Sequence, residues 1–496
     1  MNVVLISTYE LGHQPFGLAS PAAWLRVCGA QVTCLDLSRQ PFQEQAIREA
    51  GLIAFYVPMH TATRLATQLV ERVRRLNPHA HLCFYGLYAP VNEVYLRGVG
   101  VETILGGEFE GGLARLFTRL NEQRNGERGN VGPGNTEPPA PAISLERLDF
   151  LVPDRGGLPP LAKYAHVLLP DGRSLVAGYT EASRGCKHLC RHCPIVPVYN
   201  GAFRIVQQDV VLEDIRRQVA AGAQHISFGD PDFFNGPSHA LAIVEALHRE
   251  FPQLSYDVTI KVEHLLRQGA HLARLRDTGC LFVTTAVESV DDAILERLDK
   301  GHTRADFLAV ARHFRELGMV LHPTFVPFTP WTTLADYREL LAVLAEQELV
   351  ENVAPIQLGI RLLIPAGSRL LELNEVRQGV DEFDPAALVY PWRHKDTRMD
   401  RLAERVQDMA AAADKAGISR AETFARIWRA AADARVEAQG EDGLTGPPGP
   451  PPALPVRAAI PHLSEAWYCC AEPTRDQFIS IAEASPQSMA EPAAFV

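Results

Sequence analysis

The stretch Arg184-Gly185-Cys186-Lys187-His188-Leu189-Cys190-Arg191-His192-Cys193 sets three cysteines at C-x3-C-x2-C, directly after an apolar, strand-like run over 175–180. Three thiolates on one tight loop can hold three irons of a cubane cluster and leave the fourth open. A fourth cysteine would close the cluster and suit electron transfer; three suit chemistry at the open iron. Zinc is the competing reading, because the triplet with His188 or His192 would complete a tetrahedral site. The context favours the cluster: the loop opens a long strand–helix region instead of a small metal-stapled module.

Working outward, strand-like runs recur at 225–229, 255–262, 281–288, 319–327 and 355–364, separated by helical patterns. Upstream, runs at 3–7, 31–37, 52–57, 81–85 and 101–105 also alternate with helices, the clearest over 61–75. Ser20-Pro21 reads as a helix start, with a hydroxyl cap and proline in the first turn. Such alternation predicts parallel sheets covered on both faces. After Asp384 the pattern is helical: Met399, Leu402, Val406 and Met409 share one face, and Ser419-Arg420-Ala421-Glu422 forms a capping box ahead of Phe424, Ile427 and Ala431. The expected division is an N-terminal domain over 1–122, a polar Gly/Pro linker over 123–145, a barrel-like domain over 146–380, a helical extension over 381–440, a proline-rich spacer over 441–455 and a tail over 456–496.

Charge and composition set outer limits. The net charge is −11, with 47% hydrophobic and 22% charged residues, so bulk electrostatics give nucleic-acid binding no support. The start MNVVLISTYELGHQ lacks a basic n-region and reads as a first strand, and no apolar run has bilayer-spanning length. A cytoplasmic protein without membrane partners is expected. Nine cysteines there point to metal, catalysis or burial; Cys28, Cys34, Cys83 and Cys280 sit in apolar surroundings and read as core.

Two more cysteines stand in the tail, in Trp467-Tyr468-Cys469-Cys470-Ala471-Glu472-Pro473. Adjacent thiols can close a vicinal disulfide or bind one soft metal or metalloid, and Glu472 is placed to accept a proton from Cys470. The plainer reading has both cysteines docking as small hydrophobes beside Trp467 and Tyr468. The spacer's prolines favour extended polyproline II at roughly 3.1 Å per residue, on the order of 45 Å in all, enough to bring a mobile arm to another domain.

Residues 175–380 resemble the radical S-adenosylmethionine (SAM) superfamily, and the phrase SRGCKHLCRHCP resembles the cluster loop of its subgroup with an N-terminal cobalamin-binding-like domain. The resemblance implies an α/β chain: a flavodoxin-like domain, then a partial (β/α)6 TIM-like barrel, a helical extension and a tail. It implies Cys186, Cys190 and Cys193 as ligands of a [4Fe–4S] cluster, and His192 where the family usually has an aromatic residue near the adenine of SAM. Gly229 and Asp230, in Phe228-Gly229-Asp230-Pro231-Asp232, match the segment that binds the SAM amino group; Asp232 or Asn235 reads equally as a helix cap. Glu288 and Ser289 match a Glu-Ser segment binding the ribose, and Ile364 opens a turn flanking the adenine. Arg361 is a weaker candidate for the SAM carboxylate or substrate; Lys300 and His302 read as structural. The implied chemistry is reductive SAM cleavage to a 5′-deoxyadenosyl radical that abstracts hydrogen from a small-molecule or peptide substrate, with ferredoxin or flavodoxin as electron donor.

The N-terminal half lacks the D-x-H-x-x-G of histidine-ligated cobalamin; Glu10–Gly17 is the nearest stretch, and His13 reads as a loop residue. Cobalamin binding without that ligand and an empty scaffold both stay open. The tail resembles that of radical SAM proteins ending in CUAEP or CCAEP, where U is selenocysteine, which implies catalytic roles for Cys469, Cys470 and Glu472 as a redox or nucleophilic arm. Two further functions are weighed: a cobalamin-dependent radical SAM methyltransferase, and a non-catalytic iron–sulfur or zinc protein that senses redox state or scaffolds a pathway.

Overall fold

The computed structural model describes residues 1–125, 142–436 and 460–465. In the N-terminal part, β1 (Asn2–Ser7), β2 (Gln31–Asp36), β3 (Leu52–Tyr56), β4 (His81–Tyr85), β5 (Thr103–Gly107) and β6 (Ile143–Ser144) form one parallel sheet in the order 2-1-3-4-5-6. Both faces are apolar because helices cover both. Ile53, Phe55 and Phe84 face the helix His60–Leu76, whereas Leu5, Ala54 and Cys83 face the helices Phe16–Val27 and Phe109–Asn125. Helix Phe16–Val27 starts earlier than Ser20-Pro21 suggests and carries Pro21 inside it. Proline there frees the carbonyl of Gly17, four residues back, and the Tyr85 hydroxyl donates to it at 2.8 Å. Cys34, Cys83 and Cys280 are buried as expected; Cys28 is exposed, because it falls past the last turn of that helix.

The second sheet begins with β7 (His166–Leu168) and β8 (Ser174–Thr180). A hairpin of β9 (Ser183–Gly185) and β10 (Phe203–Ile205) follows, then β11 (His225–Phe228), β12 (Ser255–Thr259), β13 (Cys280–Glu288) and β14 (Val320–Phe325). Strands β8, β11, β12, β13 and β14 run parallel and curl with their helices outside; β7 adds antiparallel at the β8 edge. The sixth barrel position is held by a parallel bridge between Phe328 and Arg361, and residues Pro355–Gly359 form a 3₁₀ turn where the sequence suggests strand. Pro355 and Pro365 bracket that run, and neither can donate to a ladder. β12 stops at Thr259, and Val262 opens the helix Val262–Arg267.

Helices Thr397–Lys415 and Arg420–Val436 pack on the barrel's last turns. Met399, Leu402, Val406, Phe424, Ile427 and Ala431 are buried as their spacing predicts, with Met409 partly buried beside them. The final described segment is unforeseen. β15 (His462–Leu463) pairs antiparallel with β7, and Ser464 N–H donates to the His166 carbonyl at 2.8 Å. The chain is thus anchored to the barrel edge at His462–Leu463, between the proline-rich spacer and the tail cysteines; the arm expected beyond it lies outside the described residues. Trp467, Tyr468, Cys469, Cys470 and Glu472 lie outside the described residues. No described helix is long and apolar enough to cross a membrane.

Candidate active site

One cavity of about 380 Å³ lies where the C-terminal ends of both sheets meet. Cys186, Cys190 and Cys193 all border it, on the loop after β9. The loop's path depends on Gly185, whose φ of +76° and contact with Tyr199 leave no room for a Cβ. Asn235 ties the loop down: its Oδ1 accepts from Lys187 N–H at 3.2 Å, and its Nδ2 donates to the Gly185 carbonyl at 3.3 Å.

Glu288 ends β13 at a bulge, with φ +70°. That departure from the ladder aims its carboxylate into the cavity rim, where His192 Nε2 (3.0 Å) and Lys300 Nζ (3.2 Å) both donate to Oε1. Burial alone would raise its pKa, but Lys300 and His192 overcome this and hold it at about 2. Lys300 is raised in turn by Glu288 against its own burial. His192 is therefore engaged by a carboxylate through one ring nitrogen, while Nδ1 is buried without a partner. Burial lifts the Cys186 thiol to about 12 and raises Cys190 too, with Lys300 and Lys261 opposing at Cys190.

Gly229 borders the cavity and admits no side chain, since a Cβ would meet the Tyr179 hydroxyl. Asp230 does not border it. Its two oxygens accept from Ser183 Oγ (2.6 Å) and Ala182 N–H (2.8 Å), bracing the segment that leads into the cysteine loop, and burial lifts its pKa to about 7. Asp232 is the carboxylate of that motif that faces the cavity. It caps the turn Phe233–Asn235 by accepting from Phe234 N–H, and its Oδ2 lies 2.7 Å from His264 and 3.5 Å from His188. Ser289 Oγ accepts from Asp291 N–H and shapes the turn after β13. Ile364 is packed with Ile294, Leu298 and Trp392, leaving its neighbour Leu363 on the cavity wall. Arg361 is turned away, bonded to Asp400 at 2.6 Å and stacked on Trp392.

Ser227, Asp257, Thr259 and Thr284 escaped the sequence reading; with His322 and Thr324, in the stretch His322-Pro323-Thr324-Phe325 that resembles the superfamily, they face inward. They recur at every second position of β11 to β14, so polar residues alternating inside apolar strands were the available signal. His13 also lines the cavity, tilted on Tyr179 at 4.8 Å, with burial lowering its pKa to about 4. The seam between the two halves is ionic: Arg184 donates to Glu110 at 2.7 and 2.9 Å, to Glu108 at 3.2 Å and to Glu181 at 2.6 Å, all buried or nearly so.

Among the described residues the one compact set of metal-ligating atoms is that of Cys186, His188 and Asp232, within 4.8 Å of one another. A single zinc held by the cysteine triplet would gather all three sulfurs, and Cys190 and Cys193 are not in that set. A cubane spreads its three ligands wider, and Lys300 and Lys261 supply positive charge beside the thiolates. The cysteine triplet fits a cluster, and His192, whose buried Nδ1 has no partner, leaves a polar group on the cavity wall for a bound nucleotide to meet.

Residues 180–344 match the sequence model of the radical SAM superfamily. The chain carries a radical SAM domain, and such a domain implies a [4Fe–4S] cluster and SAM. Among curated proteins it is 24% identical over 332 residues to the hopanoid C-3 methylase of Methylococcus capsulatus, covering 64% of this chain and 62% of that one. It is 26% identical over 177 residues to the ribosomal protein uS12 methylthiotransferase RimO of Syntrophotalea carbinolica, covering 34% and 39%. The chain thus spans less than two thirds of either relative. In fold it is similar to the radical SAM methyltransferase TsrM of Kitasatospora setae with tryptophan and a SAM analogue bound (TM-score 0.58, 18% identity, 76% and 77% coverage). It is also similar to the cobalamin-dependent SAM radical enzyme OxsB with aqua-cobalamin bound (TM-score 0.62, 15% identity, 83% and 67% coverage). The two-part α/β architecture with its helical C-terminal part is that of cobalamin-dependent radical SAM enzymes.

Proposed function

We propose that this chain is a radical SAM enzyme acting on a small molecule, with Cys186, Cys190 and Cys193 holding the cluster. The observation that carries this reading is the convergence of the three cysteine residues, Glu288, Lys300 and Gly229 on one cavity. When bound, cluster and SAM supply one-electron cleavage of the sulfonium. The chain's part is to hold them and exclude water. Asn235 and Asp230 fix the loop, Gly229 lets the nucleotide approach the backbone, and Asp232 and Glu288 offer carboxylates to its amine and ribose. The N-terminal sheet closes the barrel mouth, so the division at 1–122 and 146–380 separates a cover from a catalytic barrel. Loading under argon with iron and sulfide, then dithionite and SAM, should yield cluster-dependent cleavage of SAM; bound zinc without cleavage would sink the reading.

A second reading, methyl transfer with cobalamin, draws support from the N-terminal side of the cavity. His13, Tyr56, His60 and Tyr88 border it, and Glu10, His13 and His60 each keep a buried polar atom without a partner. Those groups fit an amide-fringed corrinoid set against β1 and β3. Corrinoid absorbance retained after desalting separates the two readings.

The tail thiols fit either chemistry. Glu465 borders the cavity, and Cys469 and Cys470 follow four and five residues later, a reach of at most about 17 Å when extended. We propose Cys470 as redox-active or nucleophilic thiol, Cys469 as its partner and Glu472 as proton acceptor, with a ferredoxin-like protein donating electrons to the cluster. Wild-type turnover in both Cys469→Ser and Cys470→Ser would remove the tail from the mechanism.

A further inference from the structure

Resting on the reading of the barrel as the catalytic chamber, we infer an oxyanion subsite at its floor: Arg420 and His322, flanked by His462 and Asn352, grip a carboxylate or phosphate of the substrate. His322 pairs in register with Thr284, whereas Phe325, three residues on, pairs with Glu288 at the rim. The subsite therefore lies about 10 Å below the level of Glu288. A small substrate anchored there would present its far end to the reaction centre.

Arg420 opens the helix Arg420–Val436, and its Nη1 donates to the Glu351 carbonyl at 2.5 Å. Among the described residues no carboxylate lies within ion-pair distance of it, yet it borders the cavity. A guanidinium has five N–H donors in a planar fork suited to carboxylate or phosphate. The guanidinium is partly buried, and burial lowers its pKa against the longer-range pull of the Glu351 and Asp414 carboxylates, neither of which forms an ion pair with it. His322 stands beside it. Its ring lies flat on Phe282 at 4.5 Å and 7°, so the direction of its edge is fixed. Its Nε2 is buried without a partner. Burial, with Arg420 and His462, outweighs a backbone hydrogen bond to Pro461 and lowers its pKa to about 3, so it acts as a neutral hydrogen-bonding group and not as a second cation.

Two flanking groups sharpen the ligand's chemistry. β15 brings His462 to the cavity wall, with Nδ1 already bonded to the Ile460 carbonyl at 2.9 Å. Asn352 donates through Nδ2 to the Leu321 carbonyl at 2.8 Å, which leaves Oδ1 buried, unpartnered and on the cavity wall. That acceptor calls for an N–H or O–H on the same ligand. The chemical class is a small oxyanion with a neighbouring hydroxyl or amine, such as a hydroxy or amino acid or a sugar phosphate.

The test uses the full chain with its cluster loaded, and three probes read by ligand-observed NMR: glycolate, inorganic phosphate and the neutral isostere glycolamide. Glycolate or phosphate should bind the wild type, and the better of the two tells carboxylate from phosphate. Arg420→Gln should weaken that anion at least about tenfold, Arg420→Lys less, and His322→Leu should weaken it too, with glycolamide bound poorly throughout. The subsite is overturned if neither anion binds the wild type. It is equally overturned if glycolamide binds as well as glycolate, or if the variants that fold bind as the wild type does. Iron content and SAM affinity, measured on the same samples, tell failure of the subsite from failure of the radical SAM reading.

Discussion

The two sheets of this protein use alternation in opposite ways. In the N-terminal sheet both faces are sealed by helices, so Phe55 and Phe84 on one side and Leu5 and Ala54 on the other are all apolar, and chemistry is confined to the ends of the strands. In the curled sheet only the outer face is sealed. Its inner positions, among them Ser227, Asp257, Thr284 and His322, are polar because they line a cavity. A sheet covered on both faces has no interior to line; a curled one does, and its inner positions can be polar.

Several substitutions would break or sharpen that contrast. The largest effect is expected from Cys190→Ser, which should abolish cluster assembly and SAM cleavage while far-UV circular dichroism stays unchanged; persistent cleavage would refute the ligand assignment. Phe55→Ala, in the middle of the covered sheet, should cost about 3–5 kcal/mol in urea unfolding. Gly229→Ala should cost about 1–3 kcal/mol and weaken SAM binding in equilibrium dialysis, because the Tyr179 hydroxyl occupies the space of the new methyl group. Thr284→Ala, on the inner face, should change stability by no more than about 0.5 kcal/mol, since the cavity lies on one side of it. A large loss there would mean the inner face is core after all.

Acid adds a fifth handle. The folded pKa of Glu288 is about 2, below its ordinary 4.5, so its contribution is complete above pH 4.5 and fades as pH falls toward 2. In cluster-free protein, Glu288→Gln should flatten the fall of the urea midpoint between pH 5 and 3. Glu108 behaves in the opposite sense. Burial lifts it to about 7 despite Arg184, so the fold loses stability as pH rises from 4.5 to 7, and Glu108→Gln should remove that loss.

Much of this was legible in the residues. The cysteine spacing and the two strand–helix series set the fold class and the cluster loop, because both are local patterns. Contacts between distant segments were not legible. Nothing in FGDPD says that Asp230 braces Ala182 and Ser183 while Asp232 faces the cavity. The partnership of His192 with Glu288 joins residues 96 apart. Arg361 looked available until Asp400, from a later helix, claimed it. The sixth strand failed because its prolines outweigh its apolar content. Asp257 and Thr284 were readable in principle, as polar residues inside apolar strands, but only once the sheet is known to curl.

The pairing of β15 with β7 has a consequence for how the molecule is made. Its hydrogen bonds join residues some 298 apart, so this wall cannot form until long after β7 has left the ribosome. A nascent polypeptide halted before His462 would own a folded barrel with one side unfinished and a bare strand edge at β7, open to water and to stray partners.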